Sequence, residues 1–137
     1  MENFSINYKK DIVIVKVDLP AATMRDAQSL WEIVASDSVF DKEKIIIDLS
    51  ACSFIDSTFI GMIVKIFKRV SEKHSVMKLV FPQITDIESF RVTGIAKILE
   101  CFKNLDNAIE SFNPDSSVSK IDIDQSNLYH TISDEKK

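Results

Sequence analysis

Hydrophobic residues recur along the chain with two different periods, which predict two strands at the N-terminus and then helices and strands in turn. Phe4, Ile6 and Tyr8 alternate with polar residues, as in a half-buried strand. The apolar run from Ile12 to Val17 predicts a second strand, and the polar turn at 9–11 makes the pair a hairpin.

Helical spacing and buried-strand patterns alternate after this hairpin. Thr23 is expected to cap the first helix, with Asp26 completing a capping box. The Ile-rich run at 42–49 is apolar on both faces and predicts a central parallel strand. A second helix is predicted from Ser57 to Glu72, with an apolar stripe opposite a basic face. The remaining predicted elements are a strand at 76–81, a helix from 85 to Gly94, a short strand at 98–102 and a helix between Asn104 and Pro114.

This order of elements predicts a single α/β domain. An N-terminal hairpin precedes strands that are separated by helices, and such crossover connections make a mixed, mostly parallel sheet packed by about four helices. We place the domain at residues 1–113, because the composition then changes to an acidic, Ser-rich segment with scattered apolar residues. Residues 114–137 are predicted to form a mobile tail, whose segment 118–123 lies on the domain or on a partner.

Composition narrows the classes of partner and compartment. The chain has 137 residues, is 45% hydrophobic and carries a net charge of −4, which argues against binding nucleic acid or an anionic membrane surface. No apolar run approaches the ~18–20 residues of a membrane span, and the first residues lack a signal-peptide pattern. Cys52 and Cys101 have no metal-binding spacing, so we expect reduced, partly buried thiols, with a long-range disulfide as the alternative. Together these features predict a cytoplasmic protein.

The motifs of common enzymes are missing from the sequence. Ser57 has no GxSxG elbow around it, and there is no Gly-rich phosphate loop and no HExxH pair. His74 lies roughly 25 Å along the predicted helix from Ser57, beyond hydrogen-bond reach. A carboxylate pair formed by Asp48 and Asp56 stays open. We expect no enzymatic activity, no cofactor and no metal site, and keep a small enzyme or nucleotide-binding protein as a minor alternative.

The polar triplet Asp56–Thr58, at the start of the second predicted helix, is the main candidate site. Its simpler interpretation is a helix cap, in which one side-chain oxygen accepts from a first-turn N–H and contributes about 1 kcal/mol. Three polar residues exceed what a cap needs, and apolar Phe59 and Ile60 follow, which suits a docking surface gated by phosphorylation. Gly61 costs about 1 kcal/mol inside a helix, so we expect the sheet or a partner to approach it closely.

The stretch DLSACSFIDSTFIG at 48–61, together with FRVTGIAKIL at 90–99, closely resembles the anti-sigma factor antagonist family, whose members carry a STAS domain. In that family the serine after the Asp is phosphorylated by a partner that is both anti-sigma factor and serine kinase, and a metal-dependent serine phosphatase removes the phosphate. The unphosphorylated form binds the anti-sigma factor and frees the sigma factor. The resemblance implies that Ser57 is the phosphosite, that Asp56 orients its hydroxyl and that Thr58 is a secondary acceptor.

The sequence departs from the family pattern at two positions. Phe59 stands where the family usually has Gly, and Thr23 where it often has an acidic residue that contacts the partner and nucleotide. Phe59 would narrow access to the phosphosite or serve as an interface anchor, and an exposed patch of Phe59, Ile60 and Met62 would support a weak homodimer of an otherwise monomeric protein. The partner-binding residues that we expect are Thr23, Asp56, Ser57, Thr58, Phe59, Ile60 and Gly61.

These residues predict a bacterial anti-sigma factor antagonist that phosphorylation switches, with an anti-sigma factor/serine kinase and a serine phosphatase as partners. The alternative is an unswitched STAS module, either a scaffold of a stress-signalling complex or a soluble subunit of a membrane transporter. In that case Ser57 would be only a helix cap, and Ser57→Ala would cost about 1 kcal/mol of stability without affecting binding.

Overall fold

The secondary structure comes from a computed structural model that describes residues 3–82, 94–118 and 120. The strands of this part are β1 (Phe4–Lys9), β2 (Ile12–Val17), β3 (Ala21–Ala22), β4 (Lys44–Asp48), β5 (Phe54–Ile55), β6 (Val76–Val80) and β7 (Cys101–Phe102). Its α-helices are α1 (Met24–Ser36), α2 (Ser57–Ser71) and α3 (Leu105–Glu110), and 3-10 helices cover Val39–Asp41 and Ile95–Lys97.

The main sheet holds five strands in the order β1-β2-β4-β6-β7. β1 and β2 form the predicted antiparallel hairpin, and the other neighbours are parallel. α1 and α2 connect successive parallel strands, so the predicted α/β class with a mixed, mostly parallel sheet is confirmed. The predicted helix at 85–94 lies outside the described residues except for Gly94. That glycine has a φ of +71°, the left-handed conformation expected after a helix end.

The central strand β4 is covered on both faces, because its side chains point alternately to each side of the sheet. Ile45 and Ile47 belong to the larger core cluster, which also takes in buried residues of α1 and α2. Ile46 belongs to a second cluster with Ala108 of α3. The prediction from the continuous Ile run is therefore confirmed, because this strand is buried on both faces.

A second, two-stranded sheet lies where the sequence predicted only loops. β3 runs parallel to β5, with Ala21 opposite Phe54 and Ala22 opposite Ile55. Strands of two residues are too short to show an alternating pattern, so periodicity did not reveal them. α1 begins two residues after β3, and α2 begins two residues after β5. The small sheet therefore places the starts of the two helices side by side.

Residues beyond α3 pack on the second face of the main sheet. Val118 packs against the second core cluster. Lys120 approaches Glu100, with 3.8 Å between its Nζ and a carboxylate oxygen. The expected contact of the segment 118–123 with the domain is therefore seen at two of its residues. The domain boundary after residue 113 and the mobility of 114–137 stay predictions.

Both cysteines are buried and no disulfide joins them, so the alternative of a long-range disulfide is not formed. Cys52 is only 1% exposed, deeper than the partial burial that we expected, and its Sγ lies 3.8 Å from the Val17 carbonyl oxygen. Burial raises the pKa of the Cys52 thiol to about 11, because a thiolate would lose its hydration there. This thiol therefore stays protonated and weakly reactive at neutral pH.

Candidate functional site

Asp56 joins the N-termini of α1 and α2. It is the N-cap of α2, where its Oδ1 accepts a hydrogen bond from the Phe59 amide at 2.9 Å. Its Oδ2 accepts from the amide of Met24, the first residue of α1, also at 2.9 Å. One carboxylate thus satisfies N–H groups at two helix starts, where the partial positive charge of the helix ends favours it.

α1 has the cap that the sequence predicted. The Thr23 hydroxyl oxygen accepts from the Arg25 amide at 3.3 Å, and an Asp26 carboxylate oxygen accepts from the Thr23 amide at 3.0 Å. These contacts complete the predicted capping box. They account for Thr23 structurally, and its role in partner binding stays a prediction.

Ser57 and Thr58 are exposed in the first turn of α2. Within the described part of the chain, neither their hydroxyls nor their backbone amides make a hydrogen bond. The simpler interpretation of the triplet as a helix cap is confirmed, since a side-chain oxygen of Asp56 caps α2, whereas the alternative that Ser57 is the cap is wrong. Backbone amides donate to both carboxylate oxygens of Asp56, and no hydrogen bond joins this carboxylate to the Ser57 hydroxyl within the described residues, so the orienting role of Asp56 stays a prediction.

Phe59 and Ile60 point into the core and not to the surface. Both are 0% exposed and belong to the larger core cluster. The expected exposed patch of Phe59, Ile60 and Met62 is therefore wrong, and so is direct partner contact by Phe59 or Ile60. The physical reason is that the apolar stripe of α2 begins in its first turn, where helical spacing turns these two residues toward the sheet. A buried Phe59 also does not narrow access to Ser57.

Gly61 is exposed on α2 and has open space beside it. A Cβ placed on Gly61 would meet no atom within 4 Å. The expected close approach of the sheet to this glycine is therefore wrong, because α2 turns Gly61 away from the core. Approach of a partner to Gly61 stays a prediction.

Two exposed apolar side chains beside Asp56 were not predicted from the sequence. Met24 is 67% exposed and Phe54 is 55% exposed. Met24 donates its amide to Asp56, and Phe54 lies in β5 two residues before it. The exposure of Phe54 could have been inferred from its position directly before Ile55. Consecutive side chains of a strand point to opposite faces, and here only Ile55 faces the core.

The other residues considered for chemistry lie apart from Ser57 or are engaged elsewhere. His74 is exposed beyond the C-terminal end of α2, whereas Ser57 begins that helix. A carboxylate oxygen of Asp48 accepts a hydrogen bond from the Ser50 amide at 2.9 Å, so Asp48 and Asp56 stabilise different backbone turns. The described ranges contain no group of three His, Cys, Asp or Glu residues placed to hold a metal ion. No helix within them is long and apolar enough to cross a membrane.

Comparisons with known proteins agree with this architecture. The family model for the STAS domain matches residues 5–108. A Thermotoga maritima protein assigned as an anti-sigma factor antagonist is similar with a TM-score of 0.67 and 25% identity, over 79% of this chain and 92% of that one. An anti-sigma factor antagonist from Mycobacterium paratuberculosis has a TM-score of 0.67 and 17% identity, over 79% and 91% of the two chains. The Bacillus cell fate determinant SpoIIAA in its phosphorylated form has a TM-score of 0.60 and 14% identity, over 80% and 98%.

The family assignment rests on the sequence match, which spans most of the chain. The solved structures below 25% identity add agreement in the fold alone. The comparison with curated proteins found no match. The chain belongs to the STAS domain family.

Proposed function

We propose that the protein is an anti-sigma factor antagonist that works by partner switching. In its unphosphorylated form it binds an anti-sigma factor that is also a serine kinase, and phosphorylation of Ser57 ends the complex. The observation that carries this proposal is the exposed Ser57 side chain at the start of α2, which makes no hydrogen bond within the described residues. A serine phosphatase resets the protein, and the pathway operates in the cytoplasm.

The position of Ser57 lets the domain accept a phosphate without unfolding. A phosphoserine carries about −1.5 to −2 charges, and a helix N-terminus stabilises negative charge. The amides of Ser57 and Thr58 make no hydrogen bond in the described part, so they can donate to phosphate oxygens. Asp56 lies one residue away and opposes the new charge, but its own hydrogen bonds to the two helix starts need not break.

The main effect of the phosphate therefore falls on binding. A partner that covers Ser57 must also cover the phosphate, which loses hydration in the interface or clashes with the partner's surface. Each ~1.4 kcal/mol of that penalty weakens the complex about tenfold. The similarity to SpoIIAA, whose phosphorylated form has been solved, supports this mode of regulation.

The alternative of an unswitched scaffold or transporter subunit was favoured by the departure at Phe59, but this side chain is fully buried and does not obstruct Ser57. The alternative also implied that Ser57 is only a helix cap, whereas the cap of α2 is Asp56. No observation in the described residues favours that alternative over partner switching.

Binding and phosphorylation of purified variants test the proposal. Wild type and Ser57→Ala should bind an anti-sigma factor kinase of the source organism equally, and only wild type should gain a phosphate when ATP is added. Ser57→Asp should bind at least about tenfold more weakly while its far-UV circular dichroism stays native. Thr58→Ala is the matched control and should be phosphorylated like wild type. Phosphate uptake by Ser57→Ala at the wild-type rate, or full binding by protein phosphorylated on Ser57, would overturn the proposal.

A further inference from the structure

The main sheet has one long free edge, the outer side of β1. Within the described part of the chain, β1 pairs only with β2, in an unbroken one-to-one register along all six of its residues. At the opposite edge of the described sheet lies β7, which has only two residues. A long edge strand with unpaired backbone groups is a template for a further strand, so β1 is the edge that is open to a partner.

The outward-facing backbone groups of β1 belong to Phe4, Ile6 and Tyr8. The Asp18 amide donates to the Asn3 carbonyl oxygen at 2.8 Å, so these two residues form a hydrogen-bonded pair of the ladder. Hydrogen-bonded and non-hydrogen-bonded pairs alternate along an antiparallel ladder, so every second residue after Asn3 bonds to β2 and the residues between them turn their N–H and C=O groups outward. Those outward groups make no hydrogen bond within the described residues.

The edge of β1 carries none of the features that normally prevent two strands from pairing. Its segment from Phe4 to Tyr8 contains no proline and no charged residue, and its register with β2 has no bulge. Tyr8 is 56% exposed, and Ile6 is half-buried. The edge therefore combines free backbone donors and acceptors with uncovered apolar surface.

We propose that two copies of the chain pair through β1, in antiparallel orientation about a two-fold axis that passes between their Ile6 residues. The outward backbone groups of the two strands must face each other, and the register centred on Ile6 engages all of those groups in both copies. Phe4 then lies opposite Tyr8 of the second copy. About six backbone hydrogen bonds join the two five-stranded sheets into one continuous sheet.

The sequence of β1 selects a second copy as the occupant of its edge, because the strand is complementary to itself. In this register apolar side chains meet on one face of the sheet, with Ile6 beside Ile6 and the ring of Tyr8 beside that of Phe4. Lys9 is the only charged residue of β1, and it lies opposite Asn3 of the second copy. The two Lys9 residues then stand about 20 Å apart at opposite ends of the interface, whereas parallel pairing would place them side by side.

This dimer differs from the one that the sequence suggested. That dimer required an exposed patch of Phe59, Ile60 and Met62, and the first two of these side chains are buried. Pairing through β1 uses neither Ser57 nor any other residue at the starts of α1 and α2. The inference is therefore independent of the proposed function, and one dimer would present two copies of the candidate site.

Sedimentation velocity of the full chain tests whether the dimer forms. The measured mass should rise from 15.6 kDa in dilute solution toward twice that value as the concentration is raised. Tyr8→Ala removes the exposed ring, and Tyr8→Pro also removes an outward amide hydrogen without breaking a bond to β2. Tyr8→Ala should weaken the dimer about tenfold, and Tyr8→Pro about tenfold further, while both keep the far-UV circular dichroism of wild type. Val76→Ala is the matched control, because Val76 is 48% exposed on an inner strand, and it should dimerise like wild type.

Cysteine cross-linking tests the register. Ile6→Cys places two thiols at the two-fold axis, where the Cα atoms of a hydrogen-bonded pair are about 5.5 Å apart, within the range of a disulfide. Tyr8→Cys is the matched control, because the two residues at this position stand about 14 Å apart. Under mild oxidation Ile6→Cys should form a covalent dimer at least about tenfold faster than Tyr8→Cys, as measured on non-reducing gels. The native Cys52 and Cys101 are each 1% exposed and do not compete.

Each result decides for or against pairing through β1. A mass of 15.6 kDa at every concentration overturns the proposal. So does a dimer that folded Tyr8→Pro leaves at wild-type strength, or equal rates of cross-linking for Ile6→Cys and Tyr8→Cys. If Tyr8→Pro does not fold, Tyr8→Ala and the cross-linking rates decide. Phosphorylation of Ser57 is measured separately, so failure of the dimer leaves the proposed switch standing.

Discussion

At the scale of single residues, one carboxylate holds together the part of the molecule that carries the candidate site. Asp56 accepts from the amides of Phe59 and Met24, each at 2.9 Å, and so links two helix starts. Asp56→Ala should lower the free energy of unfolding by about 2–3 kcal/mol, the sum of a lost cap and a lost charged hydrogen bond. Asp56→Asn keeps one acceptor oxygen and should lose about half as much. Urea denaturation monitored by circular dichroism measures both.

Ser57→Ala is the control for this prediction, because it changes the neighbouring residue without touching the cap. The Ser57 hydroxyl makes no hydrogen bond within the described residues, so its removal should change stability by less than about 0.5 kcal/mol. A loss equal to that of Asp56→Ala would contradict the assignment of the cap to Asp56. The same two variants also separate stability from switching, since only Ser57→Ala should abolish phosphorylation.

At the scale of elements, long periodic segments could be predicted from the sequence and short ones could not. The predicted strand at 42–49 is observed as Lys44–Asp48, and the predicted helix at 57–72 as Ser57–Ser71. β3 and β5 have two residues each and form through backbone pairing, which leaves no periodic signal. Because β3 and β5 could not be predicted, the contact between the two helix starts could not be predicted either. The second hydrogen bond of Asp56 depends on that contact and was missed for the same reason.

The candidate site also divides into features that could be predicted from the sequence and features that could not. The motif identified Asp56 and Ser57 by their order in the chain, which is a local property. The burial of Phe59 depends on the rotation of α2 against the sheet, and the exposure of Met24 depends on the small sheet, both of which are tertiary properties. Sequence reasoning therefore selected Ser57, which is exposed and whose phosphorylation stays a proposal, and chose as its surface neighbours two apolar residues that are buried.

The two glycines give a matched test of helix geometry. Gly61 lies within α2 and a Cβ there meets nothing within 4 Å, so Gly61→Ala should stabilise the protein by about 1 kcal/mol. Gly94 has a φ of +71°, which strains any residue with a Cβ, so Gly94→Ala should destabilise it by about 1 kcal/mol. Thermal unfolding should give melting temperatures that shift in opposite directions. A lower melting temperature for Gly61→Ala would mean that α2 is more crowded at this position than the structure shows.

At the scale of the whole molecule, the sheet separates the candidate site from a second packed region. α1 and α2 cover one face, and α3 with the following residues covers the other. On that second face Lys78 is buried, and its Nζ lies 2.9 Å from the Ser111 hydroxyl and 3.2 Å from a Glu100 carboxylate oxygen. The ammonium also lies 4.2 Å from the centre of the Phe112 ring. These contacts hold the end of α3 against the sheet and involve no residue at the starts of α1 and α2.

This separation predicts different results for two truncated chains. A chain that ends at 113 loses the contact of Val118 with the second cluster and the pair between Lys120 and Glu100, whereas a chain that ends at 120 keeps both. The shorter chain should be less stable by about 1 kcal/mol, because one partly buried valine is lost and an exposed ion pair adds little. Urea denaturation measures the difference, and calorimetry should show equal binding of the two chains to the proposed partner, an anti-sigma factor. Equal stability would support a domain that ends at 113, whereas weaker binding by the shorter chain, with its fold intact, would place part of the docking surface beyond α3.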